Sequence, residues 1–267
     1  MPVITLLTDF GIDDAYVGIM KGVILSVNSC ASIVDITHHV EPQNIVQASY
    51  IIQSSYIYFP EGTVHIVVVD PGVGSDRAIL AVKKDNHFFL APDNGILAPL
   101  IEKKGADSII RVTNSDYFLD SVSQTFHGRD IFAPVGAYLS KGINIKQLGH
   151  PVDQKKILKL NVKRPLILNE GLMSGEIVSV DRFGNLITNI DSGLLNKISA
   201  PGCDKAIEIR IGNKKIKGLA NTYGCVKRKI PLAIIGSGGY LEIAVNCGSA
   251  SSYFLAKTGD EIFVAAT

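Results

Sequence analysis

Val64-His65-Ile66-Val67-Val68-Val69-Asp70-Pro71-Gly72-Val73-Gly74-Ser75-Asp76-Arg77 is a near-continuous apolar run that ends in an acidic, glycine-rich loop. A run of this length rich in Val and Ile reads as a strand buried on both faces, the kind found inside a parallel sheet covered by helices. The flanking sequence repeats the pattern. Upstream, Val3 to Leu7 and Ser32 to Asp35 read as strands, and Tyr16 to Val27 and Asn44 to Tyr58 as the helices between them. Asp13 and Asp14 sit where negative charge suits a helix start. Downstream, Ile79 to Lys83 and His87 to Leu90 form a strand pair about the Lys84-Asp85-Asn86 turn. Pro92-Asp93-Asn94-Gly95 turns into a helix near Leu97 to Lys103, and Ile131 to Lys141 is a further helix. Residues 1–150 therefore read as an α/β domain on a mostly parallel sheet.

The texture changes after Pro151. A lysine-rich, proline-containing stretch over 151–169 reads as a connection, and 170–267 as a smaller β-barrel domain. Its strands fall near Gly175 to Val180, Leu186 to Ile190, Ala206 to Ile211, Leu232 to Ile235, Leu241 to Val245 and Glu261 to Ala265, separated by Gly, Asn and Asp turns. Hydrophobic residues make up 46% of the 267 and charged residues 19%, the balance of a chain that buries a core. With a net charge of +1 and scattered lysines whose small groups at 155–159, 214–217 and 227–229 read as solvated turns, the chain lacks the basic face that nucleic acid requires. Cys30, Cys203, Cys225 and Cys247 form no CxxC pair and read as reduced, mostly buried thiols. The N-terminus has no signal-peptide pattern, no segment has the length of a membrane span, and no HxH, HxxH or HExxH occurs. The expectation is a cytoplasmic protein without a metal.

Ligands of open parallel sheets bind beyond the carboxyl ends of the strands. Asp9 and Asp70 follow two such ends. In the loop after Asp70, Gly72 and Gly74 permit close backbone approach, and Arg77 brings a permanent cation back toward the strand. A dinucleotide fingerprint fails because Arg77 stands where the third glycine should be. The loop of S-adenosylmethionine (SAM) methyltransferases is a nearer match, but it normally follows a first strand, and two units precede this one. Asp9-Phe10-Gly11 matches the kinase metal tripeptide only by accident. His127, between strand-like Ser121-Val122 and the helix from Ile131, carries little meaning alone, and His38-His39 reads as structural.

Six motifs taken in order carry a resemblance: Thr8-Asp9-Phe10-Gly11 with Asp14 and Tyr16-Val17-Gly18; Val69 to Gly74; Ala91 to Gly95; Thr125-Phe126-His127-Gly128-Arg129-Asp130; Asp181-Arg182-Phe183-Gly184-Asn185; and Gly236-Ser237 through Asn246. Nearly end to end, the chain resembles the SAM hydroxide adenosyltransferases, adenosine-forming hydrolases related to the SAM-dependent fluorinase and chlorinase. The resemblance implies hydrolysis of SAM to adenosine and methionine with no cofactor, in a homotrimer whose sites lie between one chain's N-terminal domain and the next chain's C-terminal domain. By position, Asp9 would hold the ribose hydroxyls. Asn185 and backbone from Val245 to Cys247 would recognise adenine, while Ser237, Asp14 and Glu242 would lie near the methionine or the base. Phe126 and Phe183 would form apolar walls, and Asp70, Arg77 and His127 would match the side chains that position the attacking water.

The halogenating relatives carry tyrosine at the position of Asp70 and a longer insertion near Asp85. A carboxylate facing the nucleophile would repel a halide by an amount on the order of kcal/mol in a poorly solvated pocket. A sulfonium expels a neutral thioether, so the chemistry needs no general acid and mainly requires water held in line. A carboxylate paired with arginine is a weak base. The expected roles are therefore orientation of water by Asp70 and His127, with Arg77 fixing Asp70. The alternatives are a SAM-dependent halogenase, a methyltransferase, and a non-catalytic adenosine- or SAM-binding protein.

Overall fold

The computed structural model describes residues 2–102, 105–160, 162–169, 171–198 and 207–266. The chain divides into two compact units, Met1–Asn161 and Val162–Thr267.

The first unit is built on strands Val3–Thr8 (β1), Ser32–Thr37 (β2), Val64–Val68 (β3), Ile79–Lys84 (β4), His87–Pro92 (β5), Ser108–Val112 (β6) and Gly149–Pro151 (β7). Their order in the sheet is β2-β1-β3-β5-β4-β6-β7. The β2-β1-β3-β5 half is parallel, and β4, β6 and β7 pair antiparallel. Helices Tyr16–Val27 (α1), Ile45–Ser55 (α2), Ala98–Glu102 (α3) and Ala133–Ser140 (α4) cover the sheet. The period-2 alternation of the central strands feeds two cores. Ile4, Leu6, Val64, Ile66 and Val68 pack with Met20 and Ile24 of α1 and Val135 and Ala137 of α4. Leu7, Val67 and Val69 face the other way, onto Ala48 and Ile52 of α2 and Leu100 and Ile101 of α3. That is why the run from Val64 carries almost no polar residue.

Local chemistry explains most element ends. Asn44 caps α2 by accepting the Gln47 N–H at 2.9 Å, and the helix tightens into a 3-10 turn at Tyr56–Tyr58. Asp85 and Asn86 both take positive φ, the geometry that a two-residue hairpin turn requires. Several expectations need correction. Asp13 and Asp14 precede α1 and lie outside its first turn, where Ala15 is the N-cap. The helix placed at Ile131 starts as a π-type turn over Gly128–Phe132 before α4. Ser121-Val122 is irregular rather than a strand, because Ser123 beside it is drawn onto Asp130. The sequence reading missed β6 and β7, and Lys103 of the proposed third helix lies outside the described residues.

The second unit holds Leu166–Asn169 (β8), Leu172–Val180 (β9), Leu186–Asp191 (β10), Ile207–Ile211 (β11), Lys214–Lys217 (β12), Pro231–Ile235 (β13), Tyr240–Val245 (β14) and Glu261–Ala266 (β15), with short helices Ser192–Ile198 (α5) and Ala250–Phe254 (α6). The order β12-β11-β15-β9-β10-β14-β13, with β8 beside β9, brings β12 next to β13 and nearly closes a barrel around Met173, Ile209, Leu241, Ile243 and Val264. The stretch read as a connection contributes to both units: Ile157 is buried in the first, and β8 belongs to the second. Lysines 214, 215 and 217 are exposed on a strand rather than a turn. Ala206, at the start of one expected strand, lies outside the described residues. Cys30, Cys225 and Cys247 are free and exposed, not buried, and Cys203 lies outside the described residues. Among the described residues no helix is long and apolar enough to cross a membrane.

Candidate active site

Parallel pairing of β1 with β3 sets Thr8 opposite Val68. Asp9 and Asp70 therefore emerge side by side beyond the carboxyl ends of adjacent strands. Between them opens a cavity of about 300 Å³ lined by Asp9, Phe10, Gln43, Val68, Asp70, Pro71, Val73, Thr125, Phe126, His127 and Gly128. Asp9 Oδ2 accepts the Gln43 N–H at 2.8 Å, which fixes its carboxylate. Phe10 and Phe126 line the cavity and form an aromatic cluster with Tyr16, which meets Phe126 edge-to-face; the ring centroids lie 5.0 to 6.0 Å apart.

Asp70, Arg77 and His127 come together as one hydrogen-bonded chain. Arg77 Nε donates to Asp70 Oδ1 and Oδ2 at 2.9 and 2.8 Å, and Nη2 lies 2.5 Å from Oδ2. The same Nη2 reaches His127 Nδ1 at 2.7 Å. Side-chain exposure of Arg77 and Asp70 is 9% and 5%, so the pair is buried enough for charge to matter. Guanidinium nitrogens only donate, hence Nδ1 accepts and the ring hydrogen sits on Nε2. Burial, then the Arg77 charge, hold the His127 pKa below its ordinary value, and the ring also engages the Ser123 backbone. Arg77 thus grips both Asp70 and His127, rather than Asp70 alone.

The loop that returns Arg77 depends on Gly74. Its φ is +79°, and a Cβ there would stand 2.3 Å from the Gln124 carbonyl. The close approach expected of the glycines is made to this neighbouring loop. On the far side, fully buried Asp130 ties the His127 segment by accepting from the Ser123 N–H (2.8 Å), the Ser123 hydroxyl (2.7 Å) and Arg129 Nε (2.5 Å). Burial alone would raise the Asp130 pKa, but the Arg129 and Ser123 donors outweigh it and hold the carboxyl below its usual value. A depressed folded-state pKa gives stability that is present above the unfolded value of about 4 and lost as pH falls through the folded one. Thermal melts from pH 7 to pH 3 should show Tm of the wild type dropping on the acid side, and Asp130→Asn, already destabilised at pH 7, should show a shallower acid slope.

The other candidates fall elsewhere. Asp14 is exposed ahead of α1, apart from the residues that line the cavity. In the second unit, Asp181 organises a turn, accepting the Phe183 and Asn185 N–H groups on Oδ1 at 2.9 and 2.8 Å and Asn185 Nδ2 on Oδ2 at 2.9 Å. Asn185 is buried, while Phe183 projects with 77% of its surface exposed. Glu242, buried on β14, accepts the Tyr223 hydroxyl at 2.6 Å. Burial and the Asp181 charge raise its pKa against that bond, and Tyr223 is pushed up to about 12 chiefly by bonding to Glu242. Ser237 is exposed in the β13–β14 turn, and Val245 is buried at the end of β14. Sequence reasoning missed Phe10, Gln43, Asp130, Asp181 and Tyr223 as individuals, although Phe10, Asp130 and Asp181 lie inside motifs it quoted.

The SAM hydroxide adenosyltransferase N-terminal domain profile matches residues 4–149, and the C-terminal domain profile of the same family matches residues 175–263. The chain belongs to the SAM hydroxide adenosyltransferase family. Family resemblance extends to a Methanocaldococcus jannaschii protein named (R)-S-adenosyl-L-methionine hydrolase, 34% identical over 98% of this chain and 95% of its own length. A crystal structure of an uncharacterized conserved protein from Thermotoga maritima superimposes with a TM-score of 0.91 at 41% identity, covering 98% of this chain and 99% of that one. A fluorinase from Actinopolyspora mzabensis is more distant, 23% identical over 98% of this chain and 97% of its own. The residues that line the cavity between Asp9 and Asp70 all fall within the span matched by the N-terminal domain profile.

Proposed function

We propose that this protein is an enzyme that hydrolyses SAM to adenosine and methionine by in-line attack of water on the 5′ carbon. The observation that carries the reading is the Asp70–Arg77–His127 chain beside the Asp9 carboxylate in one cavity. Asp9 is held ready to bond the ribose hydroxyls. Both anionic groups also favour a sulfonium over a neutral nucleoside. Asp70 presents oxygen lone pairs that orient the attacking water; as the C5′–O bond forms and the C5′–S bond breaks the water becomes strongly acidic and passes its proton to that carboxylate, so no strong base is needed. His127 is not the base, since its Nδ1 is occupied by Arg77. It instead accepts from the same Nη2 that engages Asp70, and so helps to hold the guanidinium. The leaving thioether is neutral, so neither a metal nor a cofactor enters the scheme.

Asn185, Val245, Ser237, Glu242 and Phe183 of the second unit supply contacts to the adenine and methionine portions in this reading. With Nδ2 taken by Asp181, Asn185 keeps Oδ1 as an acceptor for the adenine amino group. A homotrimer in which the C-terminal unit of one copy serves the N-terminal cavity of another accommodates both sets, and sedimentation as a monomer would remove that arrangement. The exposed free thiols suit a reducing compartment, which supports a cytoplasmic location.

The relatives' name specifies the R configuration at sulfur, and we assign the same preference here. The test supplies separated (R)- and (S)-SAM to the pure protein with chelator and chloride present, and identifies the nucleoside by chromatography and mass. Adenosine with equimolar methionine, faster from the R epimer, is expected. A 5′-chlorinated nucleoside would favour the halogenase reading, and unchanged SAM with measurable binding would favour a binding protein.

A further inference from the structure

The turn Pro92-Asp93-Asn94-Gly95 has no part in the chemistry above, yet it meets both ends of the segment that carries Asp70 and Arg77. Asn94 Nδ2 donates to the Val69 carbonyl at 2.9 Å, one residue before Asp70. The neighbouring Asp93 N–H donates to the Ala78 carbonyl at 2.8 Å, one residue after Arg77. The β3–β5 register runs only to Ile66 and Leu90, so the Asn94 amide carries the connection between these strands on to the point where Asp70 leaves the sheet.

The amide is not free to choose another partner. Its Oδ1 accepts the Ile96 N–H at 3.2 Å, which directs Nδ2 toward Val69. The turn itself is clamped from behind. Asp93 Oδ1 accepts the Leu158 N–H at 3.0 Å. Gly95, at φ +94°, lies so close to residues 159 and 160 that a Cβ would meet Leu160 Cα and the Lys159 carbonyl at 2.8 Å. A rigid turn, braced on the last residues of the first unit, thus suspends the reactive loop from two successive residues.

We infer that Asn94 is a positioning residue for the Asp70–Arg77 pair, acting through the Val69 carbonyl, an inference that rests on the hydrolase reading. In-line displacement is sensitive to misplacement of the order of an ångström. Asp9 and Phe10 sit on a different segment, which Gln43 holds, and removing the Asn94 amide leaves the Asp70 charge in the cavity, so substrate binding changes little.

The test is steady-state hydrolysis of (R)-SAM by Asn94→Ala, with adenosine affinity by calorimetry and Tm measured alongside. The expected result is a kcat lowered about 10- to 100-fold, with KM and adenosine Kd within about threefold of wild type. Asn94→Asp, which points a carboxylate at the Val69 carbonyl, should lose more. Should Asn94→Ala not fold, Asn94→Ser keeps a donor on a shorter arm and should show the same split of kcat from KM in weaker form. A kcat within twofold of wild type in the variant that folds would overturn the inference. So would kcat, adenosine affinity and Tm falling together, which marks a merely structural role. A wild type that forms no adenosine defeats the hydrolase reading itself and is distinguished by that control.

Discussion

Replacing Asp70 by asparagine lowers kcat for adenosine formation by about 10²- to 10⁴-fold, the range expected when a positioned proton acceptor is lost. Asparagine keeps the shape and one carbonyl oxygen for Arg77, so the guanidinium retains a partner and the loop keeps its course. What disappears is the negative charge and the second oxygen. Two consequences compete. Loss of charge weakens attraction for the sulfonium, a term of about 3 kcal/mol for charges ~5 Å apart at an effective dielectric of about 20. Loss of the proton acceptor leaves the water without the group that aims it. The first effect raises KM and the second lowers kcat, so saturating kinetics separate them. We expect the kcat effect to dominate, because Asp9 remains in the cavity to hold the substrate. Full turnover at saturating SAM with only KM raised would reduce Asp70 to an electrostatic binding group.

Much of this arrangement was legible in the sequence because it depends on strand order and short-range chemistry. An apolar run ending at Asp70 predicts a central parallel strand, and parallel neighbours necessarily deliver Asp9 and Asp70 to the same edge. Asp85-Asn86 announces its turn through residues that tolerate positive φ. What stayed hidden depends on contacts between distant segments. Nothing in the spacing of Arg77 and His127, fifty residues apart, says that one guanidinium nitrogen will serve both Asp70 and His127. Strand β7 is three residues long and carries a proline, too short to show alternation. Ser121-Val122 has strand-like composition, yet the pull of Asp130 on Ser123 makes it a loop. Exposure is equally invisible to composition. Phe183 projects into solvent because Asp181 uses its carboxylate to fold the turn beneath it, and its backbone rather than its ring is what the turn engages.

Arg77 provides the sharper experiment, since its removal damages structure and chemistry in separable ways. Arg77→Met keeps the stem length but leaves Asp70 buried without its partner and His127 Nδ1 without a donor. Stripping one member from a buried ion pair costs about 3 to 5 kcal/mol. For a domain of this size that corresponds to a Tm loss of about 6 to 20 °C. Turnover should fall at least as far as in Asp70→Asn, because the carboxylate, no longer held by the fork, loses its fixed direction. Lysine should not rescue it: a point charge cannot hold both carboxylate oxygens and the imidazole at once. The double variant Asp70→Asn/Arg77→Met then decides between roles. With no buried charge left unpaired, its Tm should recover toward that of Asp70→Asn, while kcat stays at the level of the worse single variant, since residues that act as a unit are not additive. A kcat lowered by the product of the two single losses would instead mean that Arg77 acts independently of Asp70. A kcat no lower than that of the worse single variant is the expected outcome, and it would show that the guanidinium serves the reaction through Asp70 rather than independently of it.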